Sequence, residues 1–162
     1  MCIRDRIGTV STDEKAAAAR ANGCAHVIVT SRENTVARVM EITGGKGVPV
    51  VYDSVGKDTL MDSLDCLQPR GRLISNGTSS GSVVVDSQLL ASKGSIWMTR
   101  PAMVHYIQPR AHMLEMAREL FDHVLAGRIA SEPQQSFALA DAAQAHRALE
   151  SRRTTGATVL IP

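Results

Sequence analysis

A chain of 162 residues with 44% apolar and 21% charged residues has the makeup of a single globular core rather than of a disordered tail. Eighteen Lys and Arg against sixteen Asp and Glu leave a net charge of +2, scattered along the chain, and aromatics are only 3%. Both facts argue against a nucleic-acid surface, which needs a basic stripe and stacking rings. No apolar stretch reaches the ~18–20 residues that cross a bilayer and no signal segment opens the chain, so a soluble, cytoplasmic protein without membrane partners is expected.

Residues 1–6, Met-Cys-Ile-Arg-Asp-Arg, put three charges in a row ahead of the first apolar run. They resemble the translated adapter remnants found at the start of some reading frames, so a foreign leader is expected there. Five short runs follow: Ile7 to Val10, Ala25 to Val29, Val48 to Tyr52, Arg72 to Ser75 and Ser95 to Thr99. They are rich in β-branched residues and bounded by Gly, Ser, Asn or Asp, as buried strands are.

Helix patterns lie between them. Ser11-Thr-Asp-Glu14 reads as a capping box, in which Ser11 accepts from the third helical amide and Glu14 reaches back. The alanine run after it stops at Asn22-Gly23. Ser31 opens a second helix, with Val36, Val39 and Met40 on one side and Gly44-Gly45 at its end. Asp58 opens a third. The longest, Pro109 to Ala126, sets Met113, Ala117, Leu120, Phe121, Val124 and Leu125 on one face. Short strands alternating with helices predict a doubly wound α/β fold with parallel strands and helical crossovers. After Gly127 the pattern changes: an irregular stretch, a short strand near Phe137 to Leu139, a helix from Ala142 to Glu150, and a last strand, Ala157 to Ile161.

Candidate chemistry gathers where strands end, because ligands of open parallel sheets sit at the strands' carboxyl ends. Ser11 and Thr12 bring hydroxyls and helix-start amides, and Lys15 a charge, to a place where an anion is favoured; a plain N-cap with a solvated lysine is the alternative. Tyr52-Asp-Ser-Val-Gly56 ends the third strand either as a ligand turn or as a turn held by Asp53. Asn76-Gly-Thr-Ser-Ser-Gly81 is the loop richest in amides and hydroxyls, and reads as a cradle or as an ordinary surface loop. Cys2, Cys24 and Cys66 are odd in number and widely spaced, so reduced thiols are expected. The five histidines form no HxH or HExxH pair and no GxSxG elbow occurs, so no metal and no catalytic residue is assigned.

Taken in order, seven segments resemble one family. They are Val10-Ser-Thr-Asp-Glu-Lys15, Ile42-Thr-Gly-Gly-Lys-Gly47, Val50-Val-Tyr-Asp-Ser-Val-Gly56, Ser63-Leu-Asp-Cys-Leu67, Lys93-Gly-Ser95, Thr99-Arg-Pro101, and Ala145-His146 with Leu149-Glu-Ser-Arg152. The family is the zinc-independent, zeta-crystallin-like NADPH:quinone oxidoreductases of the medium-chain dehydrogenase/reductase superfamily. The resemblance covers nearly all of residues 7–162 and implies the carboxyl-terminal half of such an enzyme. It implies a Rossmann-like parallel sheet without its first strand and phosphate loop over residues 7–127. Residues 128–162 would then be a tail that returns to an absent amino-terminal catalytic domain, its last strand left partly unpaired.

The resemblance also implies site residues. Contacts to the 2′-phosphate of NADPH fall on Ser11, Thr12, Lys15, Thr30 and Arg152. The adenine and nicotinamide side falls on Val55, Asn76, Gly77, Thr78, Ser79, Pro101, Ala102 and Met103. Members often carry Gly, Tyr and Phe where Ser11, Thr30 and Asn76 stand. The intact parent would move hydride from NADPH to a quinone or enone, and would dimerise by pairing the strand edge Ile96 to Thr99 with its twin. The alternatives are a non-catalytic dinucleotide-binding or dimerisation module, and a truncated reading frame without activity.

Overall fold

The computed structural model describes residues 5–129, 133–151 and 154–162. They form two compact units, one ending at His105 and the other beginning at Tyr106.

The first unit follows the expected alternation: β1 (Ile7–Val10), α1 (Asp13–Ala21), β2 (His26–Val29), α2 (Thr35–Ile42), β3 (Val48–Asp53), α3 (Leu60–Asp65), β4 (Leu67–Ser75), α4 (Ser87–Ser92) and β5 (Trp97–Thr99). Every strand pairing is parallel. The sheet is nevertheless in two parts, β1-β2 and β3-β4-β5, with no ladder joining β1 to β3. This is the doubly wound α/β class with its parallel sheet in two parts. Arg6, although part of the charged hexapeptide, continues the β1 ladder: its carbonyl accepts from His26 N at 3.1 Å, and its guanidinium donates to the Asn22 and Gly23 carbonyls.

Apolar runs form strands here because they are covered. Ala16 of α1 is buried with Val27 and Val29 of β2. Leu64 of α3 meets Leu67 and Leu73 of β4 and Ile96. A third cluster joins the two parts of the sheet: Ile28, Val39 of α2 and Cys66 are buried together, with Ile7 of β1 and Val48 and Val51 of β3 packed on them. Pro49 brings no N–H to β3 and sits where the β3–β4 register shifts, between Val48 and Val50.

Three helix starts differ from expectation; α3 begins at Leu60 after Thr59, rather than being opened by Asp58. The cap of α1 is Thr12, not Ser11: Thr12 is extended and its hydroxyl accepts from Lys15 N at 3.3 Å, so the box with Glu14 is not formed. Helix α2 starts after Asn34, whose side chain accepts from Ala37 N at 2.8 Å, rather than at Ser31. Residues 31–33 turn instead, with Arg32 N and Glu33 N donating to the Val29 carbonyl and Glu33 Oε1 accepting from Val29 N.

The second unit holds α6 (Arg110–Leu125), β6 (Gln135–Ala138), α7 (Ala142–Glu150) and β7 (Thr158–Ile161); a short helix, α5 (Met103–Tyr106), straddles the division. The last strand has a partner, since β7 pairs with β6 in a parallel two-stranded sheet. Thr158 Oγ1 donates to Gln135 Oε1 at that pairing. No residue of α6 is buried.

Candidate cofactor site

The carboxyl ends of β1 and β2 make one corner of the site. Thr30 leaves β2 with its amide 2.9 Å and its hydroxyl 3.2 Å from the Val10 carbonyl, which sets it beside Ser11 and Thr12. Lys15 lies one turn into α1, and the Thr12 hydroxyl is already engaged by the Lys15 amide. Ser11, Thr12 and Thr30 are exposed. Two acids, Asp13 and Glu14, stand in the first turn and suit the helix dipole. Asp13 is answered across the corner by Arg32, with Nη2 at 2.7 Å from Oδ1. Arg32 is a second cation at this corner that motif spacing did not mark. The only signal for it was a basic residue three positions after the end of a strand.

The second group forms where β3 and β4 end, and its centre is Asp53. This carboxylate is buried and fully used. It accepts from Val55 N at 2.9 Å, Gly56 N at 3.0 Å, Thr59 Oγ1 at 2.9 Å and Ser63 Oγ at 2.7 Å. Burial pushes its pKa up, but hydrogen bonds from Ser63, Gly56, Thr59 and Val55 outweigh that and leave it below the ordinary carboxylate value. Asp53 therefore shapes the turn rather than serving as a free ligand group. Nearby, burial pushes the Cys66 thiol up to about 11, with Asp62 and Asp65 adding to it, so the thiol stays protonated and unreactive.

The 76–81 loop interlocks with that turn. Asn76 N and Gly77 N donate to the Asp53 carbonyl, Ser80 N and Oγ to the Val55 carbonyl, and Lys57 N to the Gly81 carbonyl. Gly77 is required by contact: a Cβ there would sit 2.0 Å from the Ser54 carbonyl oxygen. Val55, Asn76, Gly77, Thr78 and Ser79 are thus brought together. Pro101, Ala102 and Met103 follow β5, and the preceding Arg100 ties that strand end to β4 through the Ser75 carbonyl at 3.1 Å.

Thr30 from the first group and Ser54 and Val55 from the second line one cavity of about 1050 Å³. The remaining candidate, Arg152, lies outside the described residues. Among the described residues, no group of three or more His, Cys, Asp or Glu could hold a metal ion, and no helix is long and apolar enough to cross a membrane.

Comparison with known proteins now adds a family. A model described as a zinc-binding dehydrogenase matches residues 22–160. The chain belongs to this family. Within it, the chain is 52% identical over 157 residues to a quinone oxidoreductase of Pseudomonas aeruginosa, covering 96% of this chain and 48% of that protein. It is 49% identical over 161 residues to a 2-haloacrylate reductase of a Burkholderia species, covering 96% and 47%. Among solved structures, Pseudomonas syringae quinone oxidoreductase superposes with a TM-score of 0.92 at 46% identity, over 98% of this chain and 49% of that one. Escherichia coli quinone oxidoreductase, crystallised with NADPH, gives 0.91 at 47% identity, over 98% and 49%. The resemblance to quinone oxidoreductases is borne out, and the chain spans about half the length of the curated relatives it matches.

Proposed function

We propose that this chain supplies the NADPH-binding part of a reductase that delivers hydride to a quinone or enone acceptor. The observation that carries the reading is the residue leaving β1. In dinucleotide sites an acid at that strand end bonds the free 2′-hydroxyl of NAD, whereas small polar and basic groups accept the 2′-phosphate of NADP. Here the position is Ser11, Thr30 lies beside it and Lys15 brings a cation, while the acid Asp13 is paired with Arg32. The donor set at this corner fits a phosphate monoester. Relatives that are quinone oxidoreductases, one of them crystallised with NADPH, support it.

Bound NADPH would supply the hydride; the protein binds and orients. Ser11, Thr12, Lys15 and Thr30 would hold the 2′-phosphate, with Arg152 as a further contact. Val55 and the 76–79 loop would line the dinucleotide, and Pro101, Ala102 and Met103 its nicotinamide end. No side chain is assigned as catalytic and no metal is invoked. The reading carries with it a cytoplasmic location and a homodimer built on the outer edge of β5, which among the described residues is bonded only to β4 and presents Trp97 at 70% exposure. Sedimentation velocity tests the dimer: a two-fold mass is expected and is lost in Met98→Pro, while a wild-type monomer at micromolar concentration would reject it.

Calorimetric titration with NADPH and NADH tests the cofactor. NADPH is expected to bind at least about tenfold more tightly, about 1.4 kcal/mol, with the preference lost in Lys15→Ala. Equal affinity for the two cofactors, or no binding of either, would overturn the reading.

A further inference from the structure

Two turns meet where β1 and β2 end, and three contacts tie them. Thr30 N and Oγ1 donate to the Val10 carbonyl at 2.9 and 3.2 Å, and Arg32 Nη2 donates to Asp13 Oδ1 at 2.7 Å. The first of these continues the β1–β2 ladder. The third is of another kind: it joins a basic residue past the end of β2 to an acid at the first position of α1. The Arg32 and Asp13 side chains are 58% and 75% exposed, and an ion pair so open to water contributes little to folding. Its effect falls instead on the charge of the corner.

Asp13 and Glu14 give the first turn of α1 two negative charges, against the single positive charge of Lys15. A phosphate monoester carries about −1.5 to −2 at pH 7, so these side chains would oppose it even though a helix start favours anions. An unpaired carboxylate close to Ser11 would also suit a ribose 2′-hydroxyl, the arrangement that selects NAD. Arg32 removes both disadvantages by holding Asp13. Glu33, in the turn after β2, is held in a similar way: Oε1 accepts from Val29 N at 2.9 Å and Oε2 lies 3.1 Å from Arg38 Nε.

We propose that Arg32 is a specificity-determining residue for the 2′-phosphate and acts through Asp13, cancelling a carboxylate that would otherwise repel the phosphate and favour a free hydroxyl. Arg32 stays with Asp13 when the nucleotide binds, and the phosphate is met by Lys15 and the hydroxyls of Ser11, Thr12 and Thr30. The inference rests on the cofactor reading above and adds to it the residue that keeps the corner from opposing its ligand.

Calorimetric titration of the full chain with adenosine 2′,5′-bisphosphate and with adenosine 5′-monophosphate tests it, because the two probes differ only in the 2′-phosphate. At about 0.1 M salt, Arg32→Ala should weaken the bisphosphate about fivefold and leave the monophosphate within about twofold. Adding Asp13→Asn to Arg32→Ala should restore the wild-type preference, since the corner then has its original net charge. At about 1 M salt the loss in Arg32→Ala should shrink below about twofold, as the screening length falls to about 3 Å. A loss that persists in the double variant would make Arg32 a direct ligand of the phosphate and overturn the proposal. A loss as large in Asp13→Asn alone would make the pair a fold element and overturn it as well. A preference unchanged in Arg32→Ala but lost in Lys15→Ala would overturn this proposal and leave the cofactor reading standing. A wild-type chain that does not distinguish the two probes would overturn both.

Discussion

The two units carry similar helix patterns but use them differently. Ten of the eleven buried apolar residues described lie in the unit that ends at His105; only Ala145 lies in the other. In the first unit, α1, α2 and α3 each press at least one side chain onto strands. In the second, α6 has a well-formed apolar stripe with nothing buried, and Leu125 is 85% exposed. An amphipathic period is therefore evidence for a helix and for a face that wants cover. Whether cover exists depends on what lies opposite, and two strands, β6 and β7, offer little of it.

The sharpest way to break this comparison is to remove the same side chain from each unit. Leu73, fully buried among Leu64, Leu67 and Ile96, should cost about 3 kcal/mol when changed to Ala, from lost transfer energy and a residual cavity. Leu120→Ala, on the open stripe of α6, should cost under about 0.5 kcal/mol. Urea melts followed by circular dichroism measure both. Similar losses in the two variants would mean that α6 is covered in solution, and the contrast between the units would fall.

The strands were the most legible part of the chain, for a physical reason. Ile7–Val10 and Val48–Asp53 are β-branched runs between turn residues, and parallel pairing buries such runs wherever they occur. Helix starts were less legible because several neighbours could cap equally well. Ser11 and Thr12 are adjacent cap formers; the choice of Thr12 came from its extended backbone. Ser31 was passed over because residues 31–33 fold back to Val29 before α2 begins at Thr35. The short helices α4 and α5 have six and four residues, too few for a period to show. At the site, the loop sequences pointed to the correct strand ends, but the engagement of Arg32 with Asp13 joins residues 19 apart and has no local signature. The role of Asp53 was open between ligand group and turn former, and four donors settle it as a turn former.

Asp53 also sharpens the comparison through pH, because a buried carboxylate is a feature of the first unit among the described residues. Its folded pKa is lowered from the ordinary 3.8, so the ionised form is favoured by folding. The stabilisation it brings is present in full above the unfolded value and is lost as pH falls through the lower folded value. In Asp53→Asn the side-chain oxygen can still accept from Val55 N and Gly56 N, while the new amide donates to Ser63 Oγ, so the variant should be only about 1 kcal/mol less stable at pH 6. That deficit should shrink steadily below pH 3.8 in urea melts at fixed ionic strength, because the wild type loses its charged form there and the variant has none to lose. A deficit of the same size at neutral and acid pH would show that the four donors hold a neutral acid as well as they hold a carboxylate. The turn beneath the 76–81 loop would then rest on shape alone.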